Sequence, residues 1–194
     1  MSMMKMKTCA RLTLALAAAA VMAGCAGIGG GAPVARIEPT YKDASESPFL
    51  NSSKDAVGKL LAGLDVEAVG PGPVLVATVV DVNDTTRSAP LGRTLSEQYA
   101  THMAMAGFNV KEIKLRGTVF VREGTGELLL SREVRDIARQ HNAAMVLVGT
   151  YSPASTLTYV SLKLVRTEDS RIIRGHDYAL PMDRDIKRLL GAPR

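Results

Sequence analysis

The sequence predicts one α/β sandwich domain, a single mixed β-sheet flanked by helices, preceded by a disordered tether. Three observations predict it. Residues 74–82 (VLVATVVDV) and 144–151 (AMVLVGTY) are almost wholly apolar and β-branched, as in strands covered on both faces. Segments with apolar residues at helical spacing alternate with them, a β-α-β-α-β rhythm that favours parallel pairing through right-handed crossovers. Two long strand-like stretches then close the chain as a hairpin.

The first segment is not part of that domain. Lys5, Lys7 and Arg11 precede an apolar run over residues 12–22, within the roughly 7–15 residues of an export signal. A spanning helix needs about 20 apolar residues, and Arg11 upstream and Gly27-Ile28-Gly29-Gly30-Gly31 downstream leave no room for one. Ala23 and Gly24 then lead into Cys25. These residues resemble the lipobox of bacterial lipoproteins, with Met22 where leucine is usual. The resemblance implies cleavage after residue 24 and acylation of Cys25. Two other readings compete: ordinary secretory cleavage near Ala23, leaving a free thiol, or an uncleaved anchor. A lone cysteine directly after Ala-Gly at the end of such a run favours lipidation over both. Each buried CH2 of an acyl chain contributes about 0.8 kcal/mol, and two or more chains anchor stably. Ala26 stands where lipoproteins kept at the inner membrane commonly carry aspartate, so the outer membrane is the expected location.

With 1–24 read as the signal peptide, residues 25–52 are read as acylated terminus and tether. Residues 26–48 are rich in Gly, Pro, Ser and charge, with no apolar period. About 25 flexible residues span roughly 25–30 Å. The Gly27–Gly30 run is not a phosphate loop, having no strand before it and no helix after it.

The domain is expected over residues 53–192. Ser53 caps a first helix carrying Val57, Leu60, Leu61 and Leu64 on one face, and Pro71-Gly72-Pro73 stops it. After the strand at 74–82 and the polar loop Asn83-Asp84-Thr85-Thr86, Ser88-Ala89-Pro90 opens a second helix. Its stripe is Leu91, Leu95, Tyr99 and Met103, and Gly107 ends it. Gly92 costs about 1 kcal/mol relative to alanine in such a helix, so a close backbone approach is expected there. Residues 108–113 alternate as a short strand, 118–121 form another, and Gly124-Thr125-Gly126 is a turn. Ser131 caps a third helix with Val134, Ile137 and Ala138 inward, ending at Asn142. Beyond the strand at 144–151, residues 157–166 and 171–180 pair through Glu168-Asp169-Ser170. Val160, Leu162 and Leu164 are expected inside, and Ser161, Lys163 and Val165 outside. Pro181 ends the pair, and residues 183–190 form a last helix with Ile186, Leu189 and Leu190 packed down.

Composition excludes several functions. The formal net charge is +5, but removing Lys5, Lys7 and Arg11 leaves 21 basic against 19 acidic residues, or +2. With no tryptophan and few aromatics, this argues against nucleic-acid binding. Cys9 leaves with the signal and Cys25 is lipidated, so no thiol remains for a disulfide or redox motif. His102, His141 and His176 fit no ligand spacing, and no metal or cofactor is expected. No serine sits in a Gly-x-Ser-x-Gly elbow. Ser131 and His141 fall about 15 Å apart along one helix, so capping explains the serine. No catalytic residue is predicted. Arg93, Arg116, Arg122 and Arg132, at helix starts or loop margins, are the candidates for contacts with a neighbouring protein; the alternative for each is a solvated surface charge.

Several blocks of this domain together resemble the FlgO-type domain of bacterial outer-membrane lipoproteins. They are Pro90-Leu91-Gly92-Arg93 with Leu95-Ser96-Glu97-Gln98, Gly107-Phe108-Asn109-Val110 with Glu112, and Arg122-Glu123-Gly124-Thr125-Gly126-Glu127. Leu130-Ser131-Arg132, Val146-Leu147-Val148-Gly149-Thr150-Tyr151 and Asp177-Tyr178-Ala179-Leu180-Pro181 complete the pattern. Glu133 stands where aspartate is more usual, and Ser161-Leu162-Lys163 in a strand that often carries asparagine. The resemblance implies a non-enzymatic, periplasm-facing lipoprotein that supports flagella as part of a ring around the basal body. The implied partners are the outer membrane, other flagellar ring proteins and further copies of the chain. Such domains are also similar to the front α/β unit of TolB-like periplasmic proteins, which leaves open an accessory module binding peptidoglycan, a small ligand or an envelope complex.

Overall fold

A computed structural model of the chain describes residues 38–113, 120–122, 128–130 and 132–191. The export segment, Cys25, the Gly27–Gly31 run, Arg116, the turn at 124–126 and Ser131 lie outside these residues. In chain order the elements are α1 (Tyr41–Ser45), α2 (Pro48–Leu61), β1 (Val74–Ala77), β2 (Val80–Asp81), α3 (Pro90–Met105) and β3 (Val110–Ile113). Then come β4 (Phe120–Arg122), β5 (Leu128–Leu130), α4 (Arg132–Gln140), β6 (Met145–Pro153), β7 (Leu157–Arg166), β8 (Ile172–Pro181) and α5 (Arg184–Leu189).

The main sheet runs β3-β1-β6-β7-β8, with β2 also paired to β6. β1 is parallel to both neighbours, Val74 lying opposite Val110 on one side and Met145 on the other. β6, β7 and β8 form an antiparallel meander. β4 and β5 make a separate two-stranded ribbon. This is the mixed α/β sheet the sequence predicts.

Successive side chains of a strand point to opposite faces, so each buried strand feeds two cores. On one face Val74, Val76, Leu147, Tyr151, Val160, Leu162 and Leu164 meet α2 and α3. The α3 stripe is as expected: Leu91, Leu95, Tyr99 and Met103 are all fully buried, each contributing about 1.5–3 kcal/mol. Gly107, at φ 91°, follows its last turn. On the other face Leu75, Ala77, Val80, Val146 and Val148 meet Val134 and Ala138 of α4.

Three expectations change. The first long helix begins at Pro48, not at Ser53, and α1 precedes it, both inside the stretch read as tether. Ser53 is buried within α2, and its hydroxyl donates to the Leu50 carbonyl at 2.9 Å. Pro48 at the first turn supplies the start that a capping serine was expected to give. Leu64 lies beyond the helix, which stops at Leu61.

The strand expected over 74–82 is two strands. Between them the Val79 backbone turns to α3: its N–H donates to Ser96 Oγ at 2.9 Å, and its carbonyl accepts from Ser88 Oγ at 2.7 Å. Gly92 allows this contact, since a Cβ there would overlap the Val79 carbonyl oxygen and come within 2.6 Å of Ser88 Oγ. The close approach expected of that glycine is present.

Val165 is not exposed but 4 % accessible, in the core under α4. Its outward-pointing face is the face α4 covers. The register of β7 against β8 also shifts between Leu164 and Val165. The last helix, α5, is where it is expected, with Asp183 as its cap; the carboxylate accepts the Ile186 N–H at 2.8 Å.

Candidate functional site

α3 connects β2 to β3 across one face of the sheet, and α4 leads into β6 from the opposite face. The carboxyl ends of β2 and β6 therefore lie where the two connections diverge, the position at which open α/β sheets form a crevice. An open groove of about 830 Å³ occupies it. One wall is the 81–90 loop with the start of α3, and the rest comes from Tyr151 and Pro153 of β6 and from residues in and around α5.

Tyr151 is 3 % exposed, and its hydroxyl accepts the Ala89 N–H at 3.0 Å. Burial raises the pKa of this phenol, with the Asp81 charge adding to the effect. Five charged residues line the groove: Arg87, Arg93, Lys187, Asp81 and Asp84. Asp84 accepts from Thr86 Oγ1 at 2.6 Å and from the Thr86 N–H at 3.1 Å, and these bonds hold its carboxyl below the usual range. Asp81 accepts the Asn83 N–H at 2.8 Å. Arg93 donates to the Ser88 carbonyl at 2.8 Å. Among the described residues, Arg87 and Lys187 make no ion pair. The groove thus presents hydrogen-bond donors and cations to a ligand, a binding arrangement.

A second groove, of about 540 Å³, lies along the antiparallel meander between Thr150, Ser152, Tyr159, Ser161 and Asp177. Tyr159 is 55 % exposed there.

Of the candidate arginines, Arg93 is exposed in the first turn of α3 and enters the larger groove. Arg122 ends β4 and Arg132 begins α4, but their side chains lie outside the described positions. The structure therefore brings Arg93 to Arg87 and Lys187, two groove residues the sequence reading did not single out. The signal for Arg87 was the polar loop between a buried strand and a helix start, at the carboxyl end of a parallel strand, whereas Lys187 arrives from α5 with no such local mark. The histidines stand apart. His102 is 3.5 Å from Ser53 Oγ, with its pKa lowered by burial and by Lys54; His141 is exposed; His176 stacks on Tyr178 at 6.3 Å. No group of three or more His, Cys, Asp and Glu stands together among the described residues. No helix among them is long and apolar enough to cross a membrane.

Fold and groove together define a small α/β module with a crevice at its strand ends. The chain belongs to the FlgO protein family, whose model matches residues 54–185. Among solved structures, the C-terminal domain of LpoB from Salmonella enterica aligns with a TM-score of 0.47 at 16 % identity, covering 68 % of this chain and 97 % of that one. The PelC dodecamer from Paraburkholderia phytofirmans gives 0.41 at 12 % identity, covering 62 % and 81 %. Lipoprotein GNA1162 from Neisseria meningitidis gives 0.38 at 11 % identity, covering 59 % and 84 %. No curated protein matches the chain.

Proposed function

We propose that this chain is a non-enzymatic outer-membrane lipoprotein, anchored through acylated Cys25, that acts as a structural or assembly factor of the bacterial flagellum. The observation that carries this reading is the family match over residues 54–185. The ring around the basal body is its proposed place, and other ring proteins or further copies of the chain are its proposed partners. β8 supports an assembly role. Among the described strands it pairs only with β7, so its other edge carries a row of backbone donors and acceptors. Two or three acyl chains, at about 0.8 kcal/mol per buried CH2, hold such a body on a bilayer without a spanning helix.

Deletion is expected to lower motility or flagellar number, and Cys25→Ala to abolish labelled-palmitate incorporation and membrane fractionation. Wild-type swimming in the deletion strain removes the flagellar role; equal label in both proteins removes the anchor. The larger groove favours a second reading, a periplasmic accessory lipoprotein recognising peptidoglycan, a small ligand or an envelope complex. That reading predicts normal swimming together with retention of the purified protein on sacculi or ligand-dependent melting.

A further inference from the structure

We propose that the groove at the carboxyl ends of β2 and β6 binds an oxyanion, a carboxylate or phosphate group, between Tyr151, Arg87 and the first turn of α3. The inference does not depend on a flagellar role.

The first observation is Tyr151. The residue is 3 % exposed, and both it and Ala89 line the groove. The phenolic oxygen accepts the Ala89 N–H at 3.0 Å, but its own proton has no acceptor among the described residues. A buried phenol ordinarily donates as well as accepts, so this O–H is a donor held ready for an incoming oxygen. The second observation is the start of α3. Ala89, Pro90 and Arg93 of that start line the groove, and Pro90, the first residue of the helix, carries no N–H. Such a helix start carries about half a positive charge and favours anions.

Charge decides the sign of the ligand. Arg87, Arg93 and Lys187 face Asp81 and Asp84, and both carboxylates already accept loop N–H groups. Arg87 and Lys187 lack an ion-pair partner among the described residues. The balance favours an anion, with Asp81 opposing it. At about 830 Å³ the groove exceeds the size of a bare ion, so the oxyanion is the end of a larger molecule.

The test titrates the full chain, purified in detergent, with inorganic phosphate and with acetate, each against sodium chloride of matched ionic strength. Amide NMR shifts of residues 87–93 and 151 are the readout. Saturable shifts with either anion are expected. Phosphate alone identifies a phosphate-bearing ligand, acetate alone a carboxylate-bearing one, and both a general oxyanion site. Arg87→Gln, on the exposed loop, should weaken binding about tenfold, a charged hydrogen bond's worth. Tyr151→Phe should weaken it as well, and Asp81→Asn should strengthen it. If Tyr151→Phe fails to fold, the Arg87 and Asp81 variants decide alone. Shifts that chloride reproduces, or unchanged affinity in Arg87→Gln, overturn the proposal.

Discussion

Gly92→Ala isolates the contact between α3 and the break in the strand that precedes it. In an ordinary helix interior the change stabilises by about 1 kcal/mol. Here the new methyl overlaps the Val79 carbonyl oxygen and comes within 2.6 Å of Ser88 Oγ, and most of what it meets is backbone. Relieving the overlap means moving α3 away from Val79, against an overpacking cost of about 1–3 kcal/mol. That movement also stretches the Ser96 and Ser88 bonds to Val79, and stranding one buried partner costs about 1–3 kcal/mol more. The net expectation, after subtracting the helix gain, is a loss of about 1–5 kcal/mol. Gly58→Ala is the internal control. Gly58 is exposed within α2 and a Cβ there meets nothing within 4 Å, so the same substitution should stabilise by about 0.5–1 kcal/mol. Urea denaturation of both variants gives the comparison through the midpoint at constant m. If Gly92→Ala unfolds no earlier than the control, the overlap is absorbed without cost and the reasoning fails.

Three further outcomes follow from side-chain hydrogen bonds. The hydroxyls of fully buried Tyr99 and partly buried Tyr178 bond each other at 2.5 Å at the edge of the core, so replacing either with phenylalanine should cost about 1–3 kcal/mol. The double variant should cost less than the two singles added, and a double-mutant cycle showing simple additivity would contradict this. Burial pushes the Tyr178 phenol up to about 12, so its tyrosinate absorbance should develop well above pH 10. Because the folded pKa lies above the unfolded one, this phenol's contribution to stability is complete below about pH 10 and lost as pH rises through about 12. A normal titration near pH 10 in the native protein would refute the assignment. Asp183→Ala should cost about 1 kcal/mol and fray α5, with faster hydrogen exchange at the Ile186 amide as the sign.

The elements whose residues repeat with a clear period were legible in the sequence. The α3 stripe and the span of β7 at Leu157–Arg166 are examples, because burial on one face imposes that period. What escaped was set by contacts between elements. Nothing local in VLVATVVDV marks the break at Val79; it arises because Ser88, Gly92 and Ser96, residues of the following loop and helix, take over its backbone groups. Alternation alone points Val165 outward, which is right about its direction. Which faces are covered depends on where α4 packs, and that is a tertiary fact. The groove was half legible. Arg93 was singled out at a helix start, while Arg87, Lys187 and Tyr151 come from three separate parts of the chain and meet only through the strand order.

The strand order also has a temporal side. β6, β7 and β8 zip to one another through short turns, whereas Val74 must find Met145 roughly seventy residues downstream. Local closures cost less entropy and come sooner than remote ones. The meander is thus the seed, and β1, although synthesised before it, is inserted late between β3 and β6. During that delay Val74, Leu75 and Val76 are a sticky, unclad ribbon, so a nascent chain halted short of β6 should be the species most prone to aggregate.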